Sequence, residues 1–276
     1  MIKQAIIPLA GLGTRLLPLT SVFAKELLPI NGKPGIEYIL DECIEAGITD
    51  IIFIISKKKE IIRKYFNNDK FYKSIIKKKR DPRIINEYKK ILFYKKRIKF
   101  VYQDKPLGTG DAVFKTLKFI KDKYFLMLLP DDLIMKKNCS KEMIKIHNKY
   151  KASVMASLKV KRNNVDRWGI FSFSKTLDSN NFKISDVVEK PKSKDAPSNN
   201  AVIGRYILNK DIFKYLKNLK KGKGGEIHIT DAIRKMISRN YLFIGHKFSG
   251  KYLDCGTMRG YINSGIEISK LWEFAW

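Results

Sequence analysis

Several things are scarce in this sequence, and each scarcity narrows what it can be. Among 276 residues there are three cysteines, Cys43, Cys139 and Cys255, widely spaced and with no Cys-x-x-Cys pair. That argues against a disulfide framework or a zinc site and fits a reducing compartment. Long apolar runs are missing. The longest, Ala5 to Leu12, Ile51 to Ile55 and Phe125 to Pro130, fall well short of the roughly 18 residues that span a bilayer. The first residues read directly as a strand, with no apolar h-region and no small-residue cleavage site, so export is not expected. A cytoplasmic location and no membrane partner are the expectations. Histidine is also rare: His147, His228 and His246 fall outside the motifs read below as catalytic.

Acidic residues number 27 against 56 basic ones, a net charge of +29 with a pI near 9.9. Such an excess can mark a polyanion binder. But the cations are 45 lysines and only 11 arginines, and nucleic-acid readers lean on arginine for bidentate and stacked contacts. Ile, Lys, Asn, Phe and Tyr, all with AT-rich codons, are abundant together. Compositional drift that loads lysine onto solvated faces accounts for the charge, and no nucleic-acid partner is expected. Hydrophobic residues make up 44% and aromatics 12%, enough for a sizeable core, so the chain is not mainly disordered.

Residues 3–9 read as a buried strand broken by Gly11 and Gly13. Residues 34–46 carry Ile36, Ile39, Leu40, Cys43 and Ile44 at helical spacing, with Pro34 at the start and Gly47 at the stop. Residues 51–55 are a continuous β-rich run. Strand, Gly loop, helix and strand make a βαβ unit, hence parallel pairing. Helical spacing follows around 61–66 and 84–92, then strand 98–102, helix 110–120, strand 124–129, helix 139–150 and strand 152–160. Beyond 160 come short strands at 168–173, 183–189 and 201–207, helices near 209–218 and 229–238, a strand near 241–248 and a helix from about Met258. The pattern predicts a Rossmann-like α/β fold: a mixed, mainly parallel central sheet flanked by helices, whose second half elaborates on the first. No repeat or linker divides it. The expectation is one domain over 1–276.

Ala10-Gly11-Leu12-Gly13-Thr14-Arg15 follows the first strand. Glycines there let backbone N–H groups approach a phosphate, with a following helix adding its positive end. The P-loop pattern is absent. The dinucleotide fingerprint fails because position 16 is Leu and Ser56-Lys57 stand where its acid belongs. The motif extends through Arg15 and Pro18 to Lys25-Glu26-Leu27-Leu28-Pro29, setting two cations beside the turn. Gln103 and Gly108 follow the strand at 98–102; an amide offers both a donor and an acceptor, for a ligand or for a polar loop that caps the next helix. Leu129-Pro130-Asp131-Asp132 closes an apolar strand with carboxylates, which suit a hard cation. Trp168-Gly169-Ile170, Val188-Glu189-Lys190-Pro191, Ala201 to Tyr206, Gly225 to Ala232 and Tyr252 to Gly256 complete the series.

Together these elements resemble the sugar-1-phosphate nucleotidylyltransferases, in order, from Lys3 to Ile266. The resemblance implies Mg²⁺-dependent transfer of a nucleotidyl group to a sugar 1-phosphate. Ala10-Gly11-Leu12-Gly13-Thr14-Arg15 and Lys25-Glu26-Leu27-Leu28-Pro29 are closer to the uridylyl than to the thymidylyl members, implying UTP and glucose 1-phosphate as substrates. The roles it implies are Lys25, Arg15 and Asp131 in catalysis, and Ala10, Gly11, Gly13, Thr14, Arg15, Gln103 and Gly108 around the nucleotide. Gly169, Glu189 and Lys190 would hold the sugar phosphate, and Asp131 with Asp254 the Mg²⁺. It also implies a nucleotide-binding half (1–160), a smaller sugar-phosphate-binding half with the C-terminal helices (161–276), and a homo-oligomer, a dimer or tetramer. The chain departs from the pattern at Gly35, at Thr109 and Asp111 (where Leu and His are common), at Arg167-Trp168, and in the apolar ending Phe274-Ala275-Trp276. A thymidylyl or other nucleotidylyl specificity, and a polyanion-binding protein on a decayed transferase fold, are the alternatives.

Overall fold

A computed structural model describes residues 2–271, the Lys223 side chain aside; the ending Phe274–Trp276 lies outside the described residues. Strand β1 (Gln4–Pro8) opens the chain. A loop follows, holding short 3₁₀ turns at Thr14–Leu16, Leu19–Ser21 and Lys25–Leu27 and a hairpin of β2 (Pro29–Ile30) and β3 (Lys33–Pro34). Helix α1 (Gly35–Glu45) buries Ile36, Ile39, Leu40 and Cys43 and stops before Gly47, at φ 86°. Strand β4 (Asp50–Ile55) comes next, its side chains buried on both faces from Ile51 to Ile55. Helices α2 (Glu60–Asn67), α3 (Asp69–Lys79) and α4 (Pro82–Lys95) lead into β5 (Ile98–Tyr102). Then come α5 (Thr109–Phe114), β6 (Tyr124–Leu128), β7 (Asp132–Met135), α6 (Cys139–Tyr150) and β8 (Ser153–Lys159).

The remainder contains β9 (Gly169–Thr176), β10 (Asn181–Glu189), β11 (Asn200–Asn209), α7 (Ile212–Leu216) and α8 (Ile229–Ser238). It closes with β12 (Phe243–Lys247), β13 (Lys251–Asp254) and α9 (Met258–Ser269). Nine strands form one sheet in the order β5-β4-β1-β6-β11-β8-β12-β10-β9. Only β10 and β11 in this sheet run against the other strands, so it is mixed, as the sequence predicts, with seven of its nine strands running one way. Strands from before and after residue 160 interleave. Apolar clusters line both faces, one under α1 and α6, the other under α5, α7 and α8.

Three features differ from expectation. The Gly-rich turn leads into the three-residue 3₁₀ turn Thr14–Leu16, not into an α-helix, so any phosphate there meets single backbone N–H groups without a helix dipole behind them. The helix expected at 110–120 ends at Phe114 and unwinds through tighter turns. A separate α3 stands between the two helical stretches read at 61–66 and 84–92; it is Lys-rich and buries none of its residues, so no core-facing run marked it.

Candidate active site

The carboxyl ends of β1, β5 and β6 lie on one edge of the sheet, where ligands sit in open α/β folds. The loops that follow them open into a cleft of about 790 Å³. Two further walls come from the second half. Ala201 pairs with Ile170, which bends the β9–β10 ribbon back so that Gly169 and Glu189, paired with each other, reach the start of β11. Strand β13 pairs antiparallel with β7, setting Asp254 opposite Asp132. Every residue singled out in the sequence analysis as a site residue lines this one cleft.

Gly11 and Arg15 line one side of the cleft. A Cβ built on Gly11 would meet nothing within 4 Å, so the glycine leaves open space that the protein itself does not fill. Lys25 comes from the 3₁₀ turn Lys25–Leu27 and is largely buried. Its Nζ lies 2.7 Å from Asp131 Oδ2, and an Arg15 guanidinium nitrogen lies 3.4 Å from the same oxygen. Burial alone would lower the ammonium pKa of Lys25, but Asp131 and Glu26 outweigh it and hold it above its ordinary value. Likewise burial would raise the Asp131 carboxyl, but Lys25 and Arg15 hold it below the usual range. Asp132 is the opposite case. Burial, then the neighbouring Asp131 charge, push its carboxyl up to about 6, while it accepts bonds from Tyr252 Oη at 2.6 Å and Gly204 N at 3.0 Å.

Asp254 accepts from Gly256 N at 2.9 Å and pairs with Arg167 at 2.5 Å. The two acids converge. A Cβ on Gly256 would lie 2.7 Å from Asp131 Oδ2 and 3.2 Å from Asp254 Oδ1, so both carboxylates border the space that this glycine leaves open. Among the described residues no group of three or more His, Cys, Asp or Glu side chains gathers as a closed metal cage. Two hard oxygen donors open to substrate are instead a donor set that fits Mg²⁺, which is commonly held by one or two carboxylates plus phosphates and keeps several waters.

Gln103 is 4% exposed, at the end of β5. Its Nε2 donates to Asp111 Oδ2 at 2.8 Å and to the Gly108 carbonyl at 3.1 Å. Gly108 stands at φ 97°, and a Cβ there would fall 2.6 Å from the Ile227 carbonyl oxygen. Its glycine is thus required by the protein's own backbone packing. On the other wall Glu189 Oε2 accepts from Thr230 Oγ1 at 2.8 Å, and Lys190 Nζ lies 3.7 Å from Glu189 Oε1.

Sequence reasoning gave no role to several cleft residues. Arg167 was only a departure from pattern; its pairing with Asp254 spans 87 residues and has no local signal. Thr230 and Tyr252 sat inside recognised motifs and could have been asked what they hold. Asp111, noted only as a departure from pattern, stands behind the cleft wall and bonds Gln103, which lines it. His228, placed outside the chemistry, lines the cleft with Glu226.

A cleft at the carboxyl ends of parallel strands, with a Gly-rich turn, two fixed cations and two converging carboxylates, defines an α/β protein built to handle phosphorylated ligands. The family model "Nucleotidyl transferase" matches residues 4–270. The UTP–glucose-1-phosphate uridylyltransferase 2 of Staphylococcus saprophyticus is 38% identical over 267 residues, 96% of this chain and 91% of that protein. The UTP–glucose-1-phosphate uridylyltransferase of Bacillus subtilis is 35% identical over 269 residues, 97% and 91% of the two chains. Among solved structures, a UDP-glucose pyrophosphorylase complexed with UDP-glucose superposes with a TM-score of 0.87 at 35% identity, over 99% of this chain and 100% of that one. A UTP-bound enzyme of the same kind from Acinetobacter baumannii gives 0.87 at 30% identity, over 99% and 95%. The chain belongs to the nucleotidyl transferase family.

Proposed function

We propose that the chain transfers the uridylyl group of UTP to α-D-glucose 1-phosphate, giving UDP-glucose and pyrophosphate. The observation that carries this reading is the position of Lys25: it lies beside Asp131 in a single cleft that also holds the Gly-rich turn and the Glu189–Lys190 pair. The names of the similar proteins support the choice of substrates.

An oxygen of the sugar phosphate attacks the α-phosphorus of UTP in line. The new P–O bond forms as the bond from that phosphorus to the α,β-bridging oxygen breaks, and the electron pair leaves with pyrophosphate. The nucleophile is already an anion, so no Ser, Cys or His nucleophile is needed. The protein's work is to bring polyanions together and offset their repulsion. Lys25, exchanging Asp131 for substrate, draws the α-phosphate and the sugar phosphate to one point. Arg15 and the backbone of residues 10–14 hold the β and γ phosphates. Gln103 and Gly108 read the base. Glu189, steadied by Thr230, accepts from glucose hydroxyls, and Lys190 pairs with the sugar phosphate beside Gly169. Asp131 and Asp254 would hold Mg²⁺, which when bound supplies further positive charge against the phosphates.

No helix among the described residues is long and apolar enough to cross a membrane, and a cytoplasmic location suits the proposed substrates. Assembly as a dimer or tetramer rests on family resemblance and is read by analytical ultracentrifugation. The activity is read by pyrophosphate release from UTP plus glucose 1-phosphate, with and without Mg²⁺. Release that needs both substrates and the metal is expected; release from UTP alone would mean hydrolysis and would overturn the reading.

A further inference from the structure

We propose that Asp111 is a positioning residue for base selection: it fixes the flip of the Gln103 amide so that the cleft prefers a pyrimidine carrying an N3–H, uracil or thymine, over cytosine. The inference rests on the reading above that Gln103 meets the base.

An amide side chain can present either its oxygen or its nitrogen, and on its own it chooses neither. Here both partners of the nitrogen are acceptors. The Asp111 carboxylate has no proton to give, and the Gly108 carbonyl has none either. Rotating the amide by half a turn would set its oxygen against two oxygens at 2.8 and 3.1 Å. In this buried position that juxtaposition costs more than in water, and the bond to the carboxylate is the stronger of the two because it is charge-assisted. Both N–H groups are thereby used. What Gln103 retains for a ligand is Oε1, an acceptor, on a residue that lines the cleft. An acceptor attracts the N3–H of uracil or thymine. It meets a lone pair at N3 of cytosine, which has no proton there. Asp111 itself is held off from the base. It sits in the first turn of α5, with Lys115 4.0 Å from its other oxygen, so its effect on the base runs through Gln103.

The test measures the dissociation constants of UTP and CTP for the full chain by calorimetry, without sugar phosphate or turnover. The ratio of the two is taken within each preparation, so a loss of folded protein cancels. Wild type is expected to favour UTP. In Asp111→Leu, which removes the acceptor, the preference should fall on the order of tenfold, the scale of one well-placed base contact. Asp111→Glu, which restores an acceptor-only partner, should recover much of it. A purely structural role for Asp111 would weaken both nucleotides together and leave the ratio unmoved. UTP binding with an unchanged ratio in Asp111→Leu would overturn the assignment of Asp111 alone. Absence of UTP binding by the wild-type chain would overturn this inference together with the function it rests on.

Discussion

At the scale of single residues, the cleft is a set of charges held apart or together by their neighbours. Lys25 is fixed on Asp131 at 2.7 Å, and its charge would act where negative charge concentrates in the transition state. Lys25→Ala should therefore lower kcat on the order of 10²-fold or more, as lost electrostatic donors do elsewhere. Steady-state kinetics beside an unchanged thermal melt would show it, and near-wild-type kcat would remove Lys25 from the chemistry. Glu189 and Lys190 would act on the other substrate. Glu189→Gln and Lys190→Ala should raise KM for glucose 1-phosphate far more than KM for UTP. Equal rises would place Val188–Pro191 on the wrong side of the site. At this scale the sequence was informative about which residues gather and silent about what each one touches. Motif residues such as Arg15, Asp131 and Glu189 could be named in advance. The Arg167–Asp254 and Gln103–Asp111 contacts could not, because the first joins distant segments and the second depends on how a loop folds back.

At the scale of elements, the cleft depends on how the strands beneath it are tied. Arg205 on β11 is fully buried and bonds both Glu42 carboxylate oxygens on α1, at 2.7 to 3.1 Å, with the Gly204 carbonyl as a further acceptor. Ser140, in the first turn of α6, donates to the same carboxylate. Strand, α1 and α6 thus meet at one ion pair behind β6. Glu42→Ala would leave the guanidinium unpaired and should cost about 3–5 kcal/mol, read from urea unfolding; a change below about 1 kcal/mol would show that the pair is not structural. Helix α6 carries a second device. His147 packs its ring 4.4 Å from that of Tyr124, and its Nδ1 lies 2.7 Å from the Ala152 carbonyl. Burial pulls its pKa below the ordinary 6.5, more than the Ala152 contact raises it. The unfolded chain therefore binds a proton that the folded chain refuses, and the stability present above about pH 6.5 declines as the pH falls toward the folded value. Melting temperatures at pH 7.5 and 5.5 should diverge more in wild type than in His147→Phe; equal slopes would exclude His147 as a source. Elements with caps or a strong apolar face were legible in sequence: α6 starts behind Asn138, which caps Lys141 N, and α8 spans its expected 229–238. The short β7–β13 ribbon that carries Asp254 was not, since four-residue strands leave almost no periodic signal.

At the scale of the whole molecule, the +29 charge surrounds a cleft whose contacts are local and convergent. Diffuse lysine attracts any polyanion at low salt, since counterion release needs only charge. Duplex DNA should bind weakly, without sequence preference, and dissociate near 0.15 M salt, where charges beyond about 8 Å are largely screened. Filter binding across a salt series would show this, and tight binding at 0.15 M would move the polyanion reading ahead. The order of the nine strands was beyond the sequence, because it turns on β10 and β11 running against the rest. Parallel pairing of the first βαβ unit was legible from its glycines and helix alone.

The central claim is that the uridylyl group passes in one step from UTP to the sugar phosphate at Lys25. Its most direct test follows radiolabel from UTP, with glucose 1-phosphate and Mg²⁺ present. Label at the α-phosphorus should appear in UDP-glucose and label at the γ-phosphorus in pyrophosphate, with both transfers lost in Lys25→Ala. Label from the γ-phosphorus in the sugar product or in inorganic phosphate would contradict the account.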